Sequence, residues 1–315
     1  MKNTVFKLLY HLGIPSLLRT KKKGTITVLC LHRISDERDY FFNPIKIQTF
    51  ILLIDYLAKH YTIIAFSEVE KSTPKPKLIL SFDDGYYDFI ENVLPILKKK
   101  GLPSNHNIVN SCVNNNSIIW TQRLNDIFNY LKDHNITNNL YIKDVSTFEN
   151  NWTSYYLSFL HHLLNIEKES REKIISSLED SYNVKSDYRM MNWDEINYIA
   201  NNDVEIGSHT YNHDSLSTIK DFSVFTTEIT KSIEEISNNI NRNVNILSLP
   251  NGSSNLDLMM FLKTSPIKHV LLVDDKINMS TVHGSPAMIS RIYLMDNPIH
   301  ETILRTELFH SIIKR

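Results

Sequence analysis

Glycine and cysteine are both scarce in this chain. Only seven glycines occur among 315 residues, so each one present marks a place where the backbone needs special angles or a close approach. Gly85, Gly207 and Gly252 all fall inside the motifs that carry candidate chemistry. The two cysteines, Cys30 and Cys112, are too few for a disulfide framework, which is compatible with a reducing compartment.

Strong charge and long apolar runs are also missing. The net charge is −1 and acidic and basic residues are mixed, so we predict no nucleic acid partner and expect a neutral or small substrate. No stretch approaches the roughly 20 apolar residues of a membrane span. The length allows one large domain or two ordinary ones.

The first 23 residues form a separate amphipathic segment in our interpretation. Its apolar run is broken by Tyr10 and His11, and no small-residue cleavage site follows, so we expect it to be retained and the protein to be cytoplasmic. One interpretation is peripheral contact of residues 1–23 with the inner membrane surface. The other, which is favoured because amphipathic helices mostly face a core, is packing onto the domain.

Strands alternate with helices along much of the rest of the chain. Apolar runs at residues 25–31, 78–82 and 204–206 are each followed by side chains that can bind a metal or transfer a proton. Helical periodicity follows the first two runs. This alternation predicts an α/β fold with a parallel sheet, either open or closed. The rhythm breaks at about residues 110–190, which we interpret as a helical insertion that shapes a substrate cleft or merely stabilises the fold.

Two adjacent carboxylates, Asp83 and Asp84, end the apolar run at residues 78–82 and precede Gly85. Neighbouring residues at a strand end cannot point the same way, so one can hold a metal while the other handles a proton. The alternative is a turn in which Asp-Asp-Gly only caps the following helix.

Two histidines four residues apart, His209 and His213, follow the strand at residues 204–206. If a helical turn begins there, both imidazoles fall on one side and can bind one ion. Together with an aspartate from another strand end, they make a set of two histidines and one carboxylate that suits Zn²⁺ or a similar ion activating water.

These two motifs, Ser-Phe-Asp-Asp-Gly at 81–85 and Ser-His-Thr-x-x-His at 208–213, resemble those of the polysaccharide deacetylases with NodB homology, carbohydrate esterase family 4. The resemblance covers residues 25–295. It implies a distorted (β/α) barrel of about seven strands as the catalytic domain, residues 24–315. It also implies that Asp83 is the general base and that Asp84, His209 and His213 bind a divalent metal, Zn²⁺ first, with Co²⁺, Ni²⁺ or Mn²⁺ as alternatives.

The third family motif, usually Arg-Pro-Pro-Tyr-Gly, is altered here to Ser248-Leu249-Pro250-Asn251-Gly252. A backbone donor survives a change of side chain, so the N–H of Asn251 can still serve the oxyanion. The missing arginine needs a substitute if the base requires a cationic partner. Arg291, in the predicted last strand at 289–294, is our candidate, and a purely structural arginine is the alternative.

The family's last motif, Leu-x-His, supplies the general acid but does not occur after residue 252. Instead Leu29-Cys30-Leu31-His32 stands near the start, which is similar to the permuted order of poly-N-acetylglucosamine deacetylases. In a closed barrel the first strand lies beside the last, so His32 is the expected acid. The alternative is a histidine that only caps a buried strand.

The resemblance predicts a metal-dependent hydrolase that removes the N-acetyl group from a sugar in a polysaccharide or a lipid-linked glycan intermediate, used in building a surface polysaccharide. The N-acetylated carbohydrate is the expected partner. An O-acetyl carbohydrate esterase would use the same site, and a noncatalytic sugar-binding relative would lack the base or a ligand. A metal-dependent phosphoesterase would need more carboxylate ligands and basic residues than the motifs show.

Overall fold

The computed structural model describes residues 2–114, 117–137, 151–253, 256–262, 264–279 and 286–309. Helices and strands alternate over most of this length. The helices are α1 (Lys2–His11), α2 (Ile14–Thr20), α3 (Ile47–His60), α4 (Leu94–Lys100), α5 (Trp120–Asp133), α6 (Trp152–Leu164), α7 (Lys168–Tyr182), α8 (Trp193–Ala200), α9 (Phe222–Ile240), α10 (Leu256–Leu262) and α11 (Ile299–Thr306). The strands are β1 (Thr25–Leu31), β2 (Thr62–Ile63), β3 (Lys77–Phe82), β4 (Ser104–Ile108), β5 (Val204–Ser208), β6 (Ile246–Ser248), β7 (His269–Leu271), β8 (Asn278–Met279), β9 (Ala287–Ile289) and β10 (Ile292–Tyr293).

Eight parallel strands form a nearly closed barrel in the order β10-β1-β3-β4-β5-β6-β7-β9. The short β2 pairs with β3, and β8 pairs with β1 in the antiparallel sense. The prediction of an α/β distorted barrel is therefore confirmed. Because the strands are parallel, their carboxyl ends meet at one face of the barrel.

The predicted last strand at residues 289–294 is wrong as a continuous strand. It is divided into β9 and β10, and Ser290 and Arg291 connect the two across the seam of the barrel. The side chain of Asn278 bridges this seam, because its amide donates to the carbonyls of Ile26 and Ser290 and accepts from the Ser290 N–H. Arg291 leaves the ladder because its guanidinium turns into the barrel, where it is fully buried.

Alternating side chains divide the apolar residues of the strands into two cores. On β3, Leu78, Leu80 and Phe82 face the surrounding helices, whereas Ile79 faces the barrel interior. Ser81 continues the interior row towards the carboxyl end. The pleat therefore carries the interior row from apolar residues to polar ones just below the barrel mouth.

The insertion has an apolar core of its own. Helices α5, α6 and α7 pack around Leu124, Phe128, Phe159 and Ile175, all fully buried. Residues 138–150 of the predicted insertion lie outside the described residues. The boundaries of 24–315 as a catalytic domain and about 110–190 as an insertion within it stay predictions.

The amino-terminal helices α1 and α2 pack against α11. The rings of Phe6 and Phe309 lie 6.4 Å apart, and those of Tyr10 and His300 lie 4.9 Å apart. None of the described helices is both long and apolar enough to cross a bilayer. The helix predicted at residues 301–313 is α11, and residues 310–313 are not among those described.

Candidate active site

The predicted site residues converge at the carboxyl ends of the strands. His32 follows β1, Asp83 and Asp84 follow β3, and His209 follows β5. The ladder extends into these residues, since the N–H of Asp83 donates to Leu31 O (3.0 Å) and that of His209 to Ile108 O (2.8 Å). Their positions are therefore fixed by the register of the sheet.

Asp84, His209 and His213 form a compact buried triad. The Asp84 Oδ1 atom lies 3.5 Å from His209 Nε2 and 3.7 Å from His213 Nε2, and all three ligand atoms fall within 4.8 Å of one another. Metal–ligand distances of 2.0–2.1 Å place the ligands of a tetrahedral zinc ion about 3.4 Å apart. The spacing and the donor types of the triad therefore fit a zinc-like ion.

The hydrogen bonds around the triad orient its ligand atoms. His209 Nδ1 donates to Ser248 O at 2.9 Å, which leaves Nε2 as the free lone pair facing Asp84. Asp84 Oδ1 is buried and has no hydrogen-bond partner among the described residues. Burial and the charge of Asp83 raise the pKa of Asp84 well above its ordinary value. A cation bound at Asp84 Oδ1 would satisfy this buried acceptor.

Asp83, unlike Asp84, is surrounded by hydrogen-bond donors that stabilise its charged form. Both Nη atoms of Arg291 donate to its carboxylate, at 2.9 and 2.8 Å. Asn107 Nδ2 adds a donor at 2.7 Å and Ser248 Oγ another at 3.2 Å. Burial alone would raise the pKa of Asp83, but the Arg291 guanidinium together with His209 and His32 outweighs it and holds that pKa well below its usual range. The carboxylate is therefore charged and ready to accept a proton.

Asn107 is a site residue that the sequence interpretation missed. Its amide lies in a buried row in which Asn105 Nδ2 donates to Asn107 Oδ1. A Cβ atom at Gly207 on the adjacent β5 would lie only 2.1 Å from Asn107 Oδ1, so glycine there makes room for this amide. The signal was the alternation of asparagines in Ser104–Ile108, which places two amides on the interior face.

Asn251 lies in a turn after β6 with φ of 55°, a left-handed conformation that costs energy outside glycine. The turn is closed by the N–H groups of Gly252 and Ser253, which donate to Leu249 O and Pro250 O. Neither of these bonds uses the Asn251 N–H, which can serve as a donor to an oxyanion.

His32 lies at the rim of the site between two aromatic rings. Its imidazole makes edge contacts with Phe42 at 5.9 Å and Tyr293 at 5.4 Å, beside a cavity of about 170 Å³. Burial lowers the pKa of His32 to about 4. One nitrogen of His32, one oxygen of Asp83 and the Cys30 Sγ lie within 4.8 Å of one another. Proton transfer between His32 and Asp83 therefore needs only a short path.

The loop that carries His213 is held by the insertion, a contact that the sequence interpretation also missed. His213 has φ of 59°, and its carbonyl accepts a hydrogen bond from Trp120 Nε1 at 3.1 Å. Arg171 on α7 pairs with Asp214 and lies 4.7 Å over the Trp120 ring. Spacing alone could not reveal this contact, because the helices are remote from His213 in sequence.

Comparison with known proteins decides the family. Residues 70–268, more than half of the chain, match the family model for polysaccharide deacetylase. The chain belongs to the polysaccharide deacetylase family. The matched residues include Asp83, Asp84, His209, His213 and Asn251, whereas His32 and Arg291 lie outside them. Membership identifies a carbohydrate deacetylase, a hydrolase of acetylated sugar polymers.

Solved deacetylase structures share the fold. A Streptococcus pyogenes deacetylase PplD in complex with acetate matches with a TM-score of 0.59 and 16% identity over 90% of this chain and 98% of that one. IcaB from Ammonifex degensii matches with 0.58 and 15% identity over 90% and 97%. A de-N-acetylase from Aggregatibacter actinomycetemcomitans matches with 0.54 and 18% identity over 86% and 95%. No curated protein sequence matches the chain.

Proposed function

We propose that this polysaccharide deacetylase removes the N-acetyl group from an N-acetylated sugar in a polysaccharide or lipid-linked glycan, with Zn²⁺ as its metal. The observation that carries the proposal is the contrast within one buried cluster. Asp84, His209 and His213 offer three ligand atoms at zinc-like spacing, and the adjacent Asp83 is held charged by Arg291. A solved relative that is named as a de-N-acetylase supports the same chemistry.

The residues fit a divalent ion, which Asp84, His209 and His213 would hold. Such an ion would polarise the acetyl carbonyl and lower the pKa of water. Asp83 accepts the proton of the attacking water, since its carboxylate is charged and lies beside the triad, with Oδ2 3.8 Å from His209 Nε2. The Asn251 N–H donates to the oxyanion that forms from the carbonyl.

His32 protonates the sugar nitrogen as the C–N bond breaks, which releases acetate and an amine. A pKa of about 4 means that His32 is neutral in the free protein at neutral pH. The proton it delivers must therefore reach it during the reaction, and the proton taken up by Asp83 is the available source. Water supplies one proton to Asp83, His32 relays it to the nitrogen, and both groups return to their starting states.

A second function, O-acetyl carbohydrate esterase, would use the same residues and differ only in the leaving group. A noncatalytic sugar-binding role is disfavoured because the base, the three ligands and the arginine are all present at the site.

Acetate release from N-acetylhexosamine oligosaccharides and from O-acetylated xylan tests the proposal. We expect release from the former, its loss on chelation, and recovery with Zn²⁺. Asp84→Ala should lose at least about 10³-fold in turnover, because it removes a metal ligand. Asp180→Ala, at an exposed position on α7, is the matched control. Wild-type turnover by Asp84→Ala would show the mechanism to be wrong, and release from xylan alone would favour the esterase.

The cytoplasmic location and the role in surface polysaccharide synthesis stay predictions. Fractionation of cells that express the tagged full chain would test the location.

A further inference from the structure

The α1–α2 pair exposes a concentrated apolar face. Val5, Leu8 and Leu12 are spaced three and four residues apart, and they are 53%, 59% and 66% exposed. Leu17 on α2 is 61% exposed. Large apolar residues exposed singly are normal on a protein surface, but four within thirteen residues form a patch that needs an explanation.

The opposite face of the same helices is already used. Phe6 contacts Phe309, Tyr10 contacts His300, and Leu18 is buried. Arg19 pairs with Glu307 at 3.1 Å, which fastens α2 to the segment after α11. The pair is thus docked on the domain, and the exposed patch is a second face that the packing does not cover.

The charge of this segment has one sign. Residues 1–24 contain six lysines and arginines and no acidic residue, although the whole chain has a net charge of −1. Lys22 is buried and pairs with Glu307 at 3.4 Å. Lys7 on α1 and Lys21 and Lys23 just after α2 are exposed, so they add positive charge next to the helices that carry the apolar patch.

We propose that the exposed face of α1 and α2 binds the surface of an anionic lipid bilayer. Exposed leucines can enter the boundary between headgroups and acyl chains, while neighbouring lysines contact anionic headgroups. A second copy of the chain is a poorer occupant, because it would bring two segments of like charge together. The bilayer satisfies both the apolar patch and the lysines.

The patch runs along α11, and its Leu12 end is the one near the barrel mouth, since Phe6 beside Val5 contacts Phe309 after the far end of that helix. Helix α11 begins six residues after β10 ends at the barrel mouth, and it runs back towards β2, where Tyr61 meets Glu307. Tyr10 and His11 contact His300 in the first turn of α11, so the α1–α2 turn with Leu12 is near the mouth end of that helix.

Co-sedimentation with lipid vesicles tests the proposal. The full chain is mixed with vesicles of phosphatidylcholine alone or with added phosphatidylglycerol. We expect binding to the anionic vesicles at least about tenfold tighter than to the neutral ones, and weaker binding at high salt. The double variant Leu8→Ser/Leu12→Ser should lose at least tenfold in binding, and Lys21→Gln/Lys23→Gln should lose binding to anionic vesicles with a smaller salt dependence.

Leu157→Ser, at an exposed leucine of α6, is the matched control and should bind as the wild type does. All variants should keep the thermal midpoint and the acetate release from a soluble substrate, which separates docking from folding and from the proposed function. Equal binding by the double leucine variant, or no binding by the wild type, would overturn the proposal. Dimerisation abolished by the leucine changes, without vesicle binding, would assign the face to a second copy.

Discussion

Asp83 and His213 are fixed by two different regions of the molecule. The Asp83 carboxylate is surrounded by side chains from the barrel, namely Asn107 on β4, Ser248 on β6 and Arg291 at the seam. His213 lies on a loop whose backbone is held by Trp120 of the insertion. The barrel interior therefore positions the proposed base, and the insertion helps to position a proposed metal ligand.

Proton transfer and metal binding can therefore be perturbed separately. Changes inside the barrel should alter proton transfer at constant metal content, whereas changes at the contact between the insertion and the loop should alter metal affinity.

Among changes that separate the two regions, the largest effect is expected from Arg291→Gln. The change leaves the buried Asp83 without its cation, so the pKa of Asp83 rises and the base becomes protonated at higher pH. We expect kcat to fall by about 10² or more and the acid limb of the pH–rate profile to move to higher pH. Metal content, measured after dialysis, should stay at the wild-type level.

Arg305→Gln is the control, since Arg305 pairs with Asp275 on the outside of the barrel. Arg291→Lys should recover part of kcat, because it restores the charge but not both hydrogen bonds. A wild-type pH profile in Arg291→Gln would mean that Arg291 is only structural.

A smaller effect is expected from Arg171→Met, which removes the partner of Asp214 next to His213. Groups that orient a metal ligand typically contribute 10–100-fold in affinity, so we expect zinc to bind about tenfold more weakly. Competition with a chromophoric chelator measures this without any assay of activity. At saturating zinc, kcat and its pH dependence should match the wild type.

Arg123→Met provides the matched control, because Arg123 binds Glu172 and Glu179 within the insertion and does not touch Asp214. If both variants lost zinc equally, the effect would come from the stability of the insertion. If neither lost zinc, the barrel alone would position His213.

The smallest effect is expected from His106→Phe. His106 packs between Phe82 and Phe89, and neither nitrogen has a hydrogen-bond partner among the described residues. Burial lowers the pKa of His106 to about 3. Below about pH 6.5 His106 binds a proton in the unfolded chain but stays neutral in the folded protein. The free energy of unfolding therefore decreases as the pH falls from 6.5 towards 3.

Urea unfolding at pH 7 and pH 4.5 measures this cost. The wild type should lose about 2 to 3 kcal/mol more than the variant between these pH values. An equal loss in both proteins would show that His106 is protonated without cost in the folded state. Acetate release at pH 7 should be unchanged, since His106 faces the helices and Asn107 faces the site.

The alternation in the sequence was sufficient for a parallel α/β sheet and for the residues at strand ends, and the family resemblance was needed for the distorted barrel. Asp83, Asp84 and His209 could be grouped because apolar runs precede them and the ends of parallel strands meet. Asn107 was missed because its polar strand gave no apolar periodicity, and its function depends on three strands being adjacent. The break in the strand at Arg291 could not be predicted either, since it depends on contacts that are distant in sequence, among them the Asp83 carboxylate some 200 residues away.

The seam between β9 and β10 has a consequence for the order in which the protein becomes active during synthesis. A nascent chain that had emerged only as far as residue 285 would already contain Asp83, the proposed base, and the proposed metal ligands Asp84, His209 and His213. It would lack the Arg291 guanidinium that binds the Asp83 carboxylate. It would also lack β10, which pairs with β1, the strand that precedes His32. Hydrolytic competence would therefore arrive late in translation, after nearly all of the barrel has left the ribosome.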